Sequence, residues 1–186
     1  MSEVLAQLHA DHTNLARLLE ALERQLEIFD AGETPDYEII DGIVDYCVSY
    51  PDRFHHPKED AILAALEAQS PDSVADLVGL RGEHEKLSHL TRQLAEVVRQ
   101  ILQDQEVPRH RLDDAARPFL ELYRHHLEWE ESEFLPRAME QLSAAAWEDI
   151  DARFRADDPL FGAAAEARFQ RLRDDLLKLD EDHRRS

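Results

Sequence analysis

The sequence predicts an all-α protein, an up-down-up-down four-helix bundle followed by additional C-terminal helices. Ala, Leu, Glu and Arg are abundant and only 5 of 186 residues are glycine, a composition that suits long helices. Four segments place apolar residues at alternating steps of three and four, the period of a single helix face, and strand signals are nearly absent. Short connections between these segments make successive helices antiparallel neighbours. The length allows one domain with a real core plus an appendage. The expected division is a bundle over 1–141 and a helical extension over 142–186.

The first predicted helix covers 2–30, with Leu5, Leu8, Leu15, Leu19, Leu22 and Leu26 on one stripe. His12 fills the slot between Leu8 and Leu15. Residues 31–35 then carry the Gly and Pro of a turn. The second helix covers 36–69, with a bend expected at Pro51 or Pro57, since each proline lacks a backbone donor. Its inward series is Val44, Val48, Pro51, His55, Glu59, Ile62 and Leu66, and Cys47 beside it reads as a buried, inert thiol. Around the His–Glu pair the steps become four and four, a departure from a regular seam.

Ser70-Pro71-Asp72 reads as a helix start, with Ser70 as cap and Pro71 in the first position. That third helix runs to about 104 with Leu77, Leu80, Leu87, Leu94, Val98 and Ile101 inward. Thr91 interrupts the stripe mildly and His84 sharply. The fourth helix follows 105–108 and points Leu112, Ala116, Phe119, Tyr123, His126, Glu130 and Phe134 inward, with Pro136 weakening or ending it. Ser143 is expected to cap a short helix over 144–154. Asp158-Pro159 is expected to start another that ends near Lys178 and carries Leu160, Phe161, Phe169, Leu172 and Leu176. A frayed tail is expected over 180–186. The extension is expected either to cover one end of the bundle or to supply a homodimer contact.

The most informative feature is an internal duplication. His55 and Glu59 are four apart on the second helix, and His126 and Glu130 repeat the relation 71 residues later. His12 and His84 repeat one another at an offset of 72. Residues four apart on a helix point the same way, so each pair can reach one cation together. In a closed bundle all six side chains converge inside.

His12, His55, Glu59, His84, His126 and Glu130 all sit where a core wants leucine. A desolvated carboxylate without a partner costs several kcal/mol or shifts its pKa until neutral. No Lys or Arg lies on the inward series, so metal ions are the natural counter-charge. Four imidazoles and two carboxylates suffice for two divalent cations, with each Glu able to bridge both, and imidazole with carboxylate suits Fe, Mn or Zn. A metal-free His–Glu hydrogen-bond network is the plain alternative, and a closed tetrahedral zinc site another. His56, His125 and Tyr123 stand beside these residues as candidates for hydrogen bonding behind the ligands or to a bound molecule. His9, His89, His110 and His183 read as surface, loop or tail residues, and Trp129 and Trp147 as packing residues. Ligating imidazoles must be neutral, so metal loss is expected as the pH falls toward and below 6.5.

The net charge of −20 argues against binding nucleic acid or an anionic membrane surface. A single cysteine, Cys47, excludes an internal disulfide framework and a cysteine zinc site. With no signal peptide legible at the start and no apolar run of membrane-spanning length, a cytoplasmic protein is expected.

Over about residues 5–139 the chain resembles the hemerythrin-like, or HHE cation-binding, family. The resemblance rests on His12, on FHHPKED with His55 and Glu59, on EHEKL with His84, and on HHLEWEESEFLP with His126 and Glu130. It implies a non-haem centre of two iron ions inside the bundle, with Glu59 and Glu130 bridging the irons. It also implies an open coordination position for O₂, NO or a peroxide. The resemblance departs at Ser88: oxygen-carrying hemerythrins have a second histidine there, one turn after the ligand on the third helix. Water, Tyr123 or a flanking histidine is left to complete the coordination, and simple oxygen carriage is a weaker expectation than di-iron binding. The leading functional expectation is a binder or sensor of O₂, NO or reactive oxygen species. The alternatives are iron-dependent redox catalysis (peroxide turnover, iron oxidation or delivery) and a metal-free helical interaction module.

Overall fold

The computed structural model describes residues 2–71, 77, 79–154 and 169–183. Among these residues there is no strand, and no helix is long and apolar enough to cross a membrane. The helices are α1 (Glu3–Asp30), α2 (Tyr37–Tyr50), α3 (His56–Gln69), α4 (Leu80–Leu102), α5 (His110–Trp129), α6 (Leu135–Gln141), α7 (Ala144–Asp151) and α8 (Gln170–His183). Helix α1 packs on α2 and α5, and α4 packs on the same two, which makes a helical bundle.

Two five-residue π turns join consecutive helices end to end: Pro51–His55 links α2 to α3, and Glu130–Phe134 links α5 to α6. Each ends two residues before a proline, Pro57 or Pro136. A proline removes one backbone donor and its ring crowds the carbonyl four residues back. The chain responds by widening the turn. His56 N–H donates to the Pro51 carbonyl and Leu135 N–H to the Glu130 carbonyl, five residues back in each case. The bend expected at Pro51 or Pro57 and the weakening or end expected at Pro136 fall at these widened turns, and beyond Pro136 the helical path continues to Gln141.

Ser70 closes α3, its N–H bonded to the Leu66 carbonyl, and Pro71, expected in the first position of the next helix, is in a 3₁₀ turn; Asp72 and the residues to 76 lie outside the described residues, and α4 runs from Leu80. Other expectations are corrected more simply. Val48 is exposed, while its neighbour Cys47 is buried. The start expected at Asp158-Pro159, with Leu160 and Phe161, also lies outside the described residues. Helix α8 extends to His183, past the tail expected to fray from 180.

The apolar core is in two parts. One cluster includes Leu15, Leu19, Leu22, Tyr50, Leu87, Leu94, Phe119 and Tyr123, and takes in Phe169, Leu172 and Leu176 from the C-terminal segment. The other includes Leu5, Leu8, Ile62, Leu66, Leu80, Phe134 and Ile150. The predicted site residues fall between them in sequence on every helix: His12 between Leu8 and Leu15, His84 between Leu80 and Leu87, and the two His–Glu pairs between Tyr50 or Tyr123 and Ile62 or Phe134. A polar layer is sandwiched between two apolar blocks.

The C-terminal helices rest on the bundle, α7 against α1 and α3, and α8 against α1 and α2. Asp151, the last residue of α7, takes a bond from the Ser2 hydroxyl (2.5 Å) and from the backbone N–H groups of Glu3 (3.1 Å) and Val4 (2.9 Å). Those donors have no partner within α1, so Asp151 acts as a cap supplied from a distant helix. Asp151→Ala is expected to lower the unfolding free energy by about 1 kcal/mol, in the range for losing a helix cap. Urea denaturation checks it, and an unchanged midpoint would mean that water replaces the carboxylate without loss.

Candidate metal centre

His12, His55, Glu59, His84, His126 and Glu130 are all buried and meet in the polar layer. Together with His56, they offer ligand-type atoms in two groups, His12–His55–Glu59–Glu130 and His56–Glu59–His84–His126, and within each group the atoms lie within 4.8 Å of one another. The carboxylates are turned so that one oxygen of each faces each group. Glu59 Oε1 is 3.3 Å from His12 Nε2 and 3.2 Å from His55 Nε2, while its Oε2 is 3.3 Å from His84 Nε2. Glu130 Oε1 is 3.0 Å from His126 Nε2 and 3.7 Å from His84 Nε2, while its Oε2 is 3.3 Å from His12 Nε2.

The outer ring nitrogens all face acids. Nδ1 of His12 lies 2.6 Å from Glu131, that of His55 3.2 Å from Asp11, that of His56 3.2 Å from Asp52, and that of His126 3.1 Å from Glu83. His84 Nδ1 faces Asp60 at 3.8 Å. An ionised carboxylate only accepts, so where the bond is made Nδ1 donates, and a neutral ring keeps its lone pair on the inward Nε2. Carboxylates behind imidazoles in this way are the common support of metal-binding histidines.

The sequence reading missed this layer of acids, although a signal was present. Asp11 precedes His12 but serves His55, and Glu131 follows Glu130 but serves His12. Glu83 precedes His84 but serves His126. Each acid stands beside a predicted ligand and braces one on another helix. Lys58, absent from the inward series, is also buried and donates to Asp11 at 3.1 Å, as does the Tyr50 hydroxyl at 3.0 Å. Lys58 therefore neutralises the acid behind His55 rather than either central glutamate.

His56 and His125 part company. His125 is exposed, whereas His56 is buried with its ring stacked on that of His84 at 4.0 Å. The difference comes from the π turn. A turn closed over five residues holds more residues than an α turn, so successive side chains are closer in angle. His55 ends that turn and His56 follows it, and both face inward; straight α periodicity puts His56 off the stripe. Tyr123 is buried, 6.5 Å ring to ring from His126, and its hydroxyl has no partner among the described residues.

Charge in the layer is strongly coupled. Burial pushes the Glu59 carboxyl up, but the imidazoles of His55, His12 and His84 outweigh it and hold it well below the ordinary 4.5. Burial and the Glu59 charge raise Glu130, yet His126 and His84 leave it lowered as well. Burial pulls His12 down, and the carboxylates of Glu131, Glu59 and Glu130 overcome it and carry the ring up to about 10. Burial likewise opposes, and Glu130 and Glu59 override, the rise of His84 to about 9. His56 goes the other way: burial lowers it and its bond to Asp52 does not restore it.

The residues fit a cation. Among the described residues the buried Nε2 atoms of His55, His56, His84 and His126, one oxygen of Glu59 and both of Glu130 have no hydrogen-bond partner. Buried polar atoms are nearly always paired, so a cluster of such atoms facing one space is explained by positive charge placed among them. Neutral imidazole and carboxylate are a donor set for Fe, Mn or Zn.

Two clefts approach the layer. One of about 410 Å³ has His56 and His84 in its wall, with Asp52, Asp60, Ser88 and Arg92. The other, of about 340 Å³, is lined by His9, His12, Thr13 and Glu131 among others.

The family model described as the hemerythrin HHE cation binding domain matches residues 3–138. No curated protein and no solved structure gives a significant match. The matched span runs from the start of α1 into α6 and contains every residue of the polar layer, and the chain belongs to the hemerythrin HHE cation-binding domain family.

Proposed function

We propose that the polar layer holds two iron ions and that the protein binds or senses O₂, NO or reactive oxygen species there. The observation that carries this reading is the pair of ligand groups joined by Glu59 and Glu130, each with one oxygen turned to either group. His12 and His55 would hold one cation and His84 and His126 the other, with the two carboxylates between. Mn or Zn satisfies the same donor set, so iron is the specific content of the proposal.

Bound iron would supply a redox-active site able to take a small molecule. The chain's own residues do the rest. The apolar blocks above and below the layer keep bulk water out. Glu131, Asp11, Asp60 and Glu83 orient the imidazoles. The two clefts, with His56 and His84 in the wall of one and His12 in the wall of the other, would be the routes for a diatomic molecule or a peroxide. Burial, with Cys47 and the two glutamates nearby, raises Tyr123 well above the ordinary phenol value, so its hydroxyl stays protonated and able to donate a hydrogen bond.

Protein expressed in iron-rich medium is expected to contain two iron atoms per chain and to show a visible charge-transfer band that changes on exposure to O₂, peroxide or NO. Elemental analysis and absorption spectra check both. A spectrum indifferent to all three removes the binding role, and protein that takes up no stoichiometric metal leaves the helical interaction module. Steady-state peroxide consumption that is lost in Glu130→Ala assigns catalysis instead.

A further inference from the structure

We propose that His56 is a fifth imidazole ligand, which makes the centre unequal: His56, His84 and His126 at one position, His12 and His55 at the other. The inference rests on the two-cation reading above and extends it to a residue outside the duplicated motif.

Four observations support it, none of which follows from mere adjacency to His55. His56 is only 6 % exposed. Its Nε2 has no partner among the described residues, and the residue belongs to the same 4.8 Å group as Glu59, His84 and His126. Its Nδ1 is held by Asp52, so it carries the carboxylate brace seen on the other imidazoles of the layer. That brace is itself anchored: the Ser88 hydroxyl donates to the other Asp52 oxygen at 2.7 Å, and Arg92 stands 3.5 Å from the same oxygen. His125 is adjacent to His126 in the same manner, yet it is exposed and lies in neither ligand group.

An imidazole kept out of water with one nitrogen tied to a fixed acid and the other unpaired is oriented for a guest. Its second nitrogen is buried, and the ring lies beside those of His55, His84 and His126. The His56 and His84 rings are nearly parallel, with 11° between their planes. In-plane lone pairs on parallel rings run side by side and cannot meet at one ion. Cation binding therefore requires the two rings to tilt toward each other, hinged at Nδ1, and to lose their stacking.

The test uses full-length metal-free protein titrated with Co(II), whose visible spectrum reports ligand number and geometry. Wild type is expected to bind two ions per chain. His56→Gln is expected to leave the first position intact and to weaken the second at least about tenfold, in the range for removing even an outer partner of a metal ligand, with an altered band. Asp52→Asn is expected to weaken the same position by less. If His56→Gln binds both ions with unchanged affinity and spectrum, His56 is not a ligand while the two-cation reading stands. If wild type binds no Co(II), both fail together. Should the variant not fold, the wild-type Co(II) protein still decides, because its NMR spectrum is expected to show five paramagnetically shifted imidazole N–H signals and four would overturn the assignment.

Discussion

Loading the metal-free protein with Fe(II) is expected to raise its thermal midpoint by roughly 8–16 °C for each occupied position, at free iron about 1,000 times the dissociation constant. The figure follows from about 4.1 kcal/mol of linkage stabilisation at that ratio and about 2–4 °C per kcal/mol for a chain of this size. The structural reason is the sandwich. In the metal-free state the polar layer leaves seven buried ring-nitrogen and carboxylate-oxygen atoms of His55, His56, Glu59, His84, His126 and Glu130 unpaired between two apolar clusters, and each such atom carries a desolvation penalty. A cation replaces those penalties with bonds, and only in the folded chain. Glu130→Ala is expected to abolish most of the gain at both positions at once, since its two oxygens face different groups. Calorimetry of wild type and variant, with and without iron, checks this. If Glu130→Ala keeps the full shift, the cations bind elsewhere.

Leucine at these positions in the metal-free chain does not restore an ordinary core. His55→Leu removes a ring that accompanies both Glu59 and Asp11 and leaves two buried carboxylates with one fewer donor. Truncating one member of a buried charge network costs more than the network was worth, so the metal-free variant is expected to be less stable than the metal-free wild type. The opposite result would favour the interaction-module reading.

The all-α class and the helical bundle were legible because helical periodicity is a local property. The stripes on α1, α4 and α5 keep its phase, and His12 and His84 stood out because each replaced leucine at a known phase. The duplicated His-x-x-x-Glu pairs marked the centre in the same way. Two things were not legible. The braces Asp11, Glu83 and Glu131 act between helices, and no spacing along one helix encodes which neighbour they meet. His56 was hidden by backbone geometry: the steps of four and four flanking His55 were the trace of the π turn Pro51–His55, which brings two consecutive histidines inward. Ser88, which marked the departure from oxygen-carrying hemerythrins, supports Asp52 behind His56.

The second large effect concerns protons, and the structure moves it away from the window that free imidazole suggests. His12 at about 10 and His84 at about 9 lie above the ordinary 6.5 because buried carboxylates hold their protons. A group with a raised folded pKa contributes stability that is complete below its unfolded value and is lost as the pH rises through the folded one. The metal-free protein is therefore expected to lose stability between pH 6.5 and about 10. Glu59 and Glu130 have lowered values, so their contribution is present above 4.5 and is lost as the pH falls below it. Metal-free stability from the layer is greatest between the two windows.

Cation binding requires the lone pairs that those protons occupy. At pH 7 binding is expected to expel at least two protons per chain, from His12 and His84, with His55, which burial pulls down but Glu59 and Asp11 raise on balance, adding to the count, and affinity should continue to climb with pH up to about 9–10. Two divalent cations would then take the place of the imidazolium charges beside the same glutamates. Titration calorimetry in buffers of different ionisation enthalpy measures the proton count directly. An affinity that levels off just above the imidazole range, with no protons released, would mean that both rings are neutral before the cation arrives. The carboxylates would then lack the positive partners that hold them in the metal-free core, and the charge balance argued for the layer would be wrong.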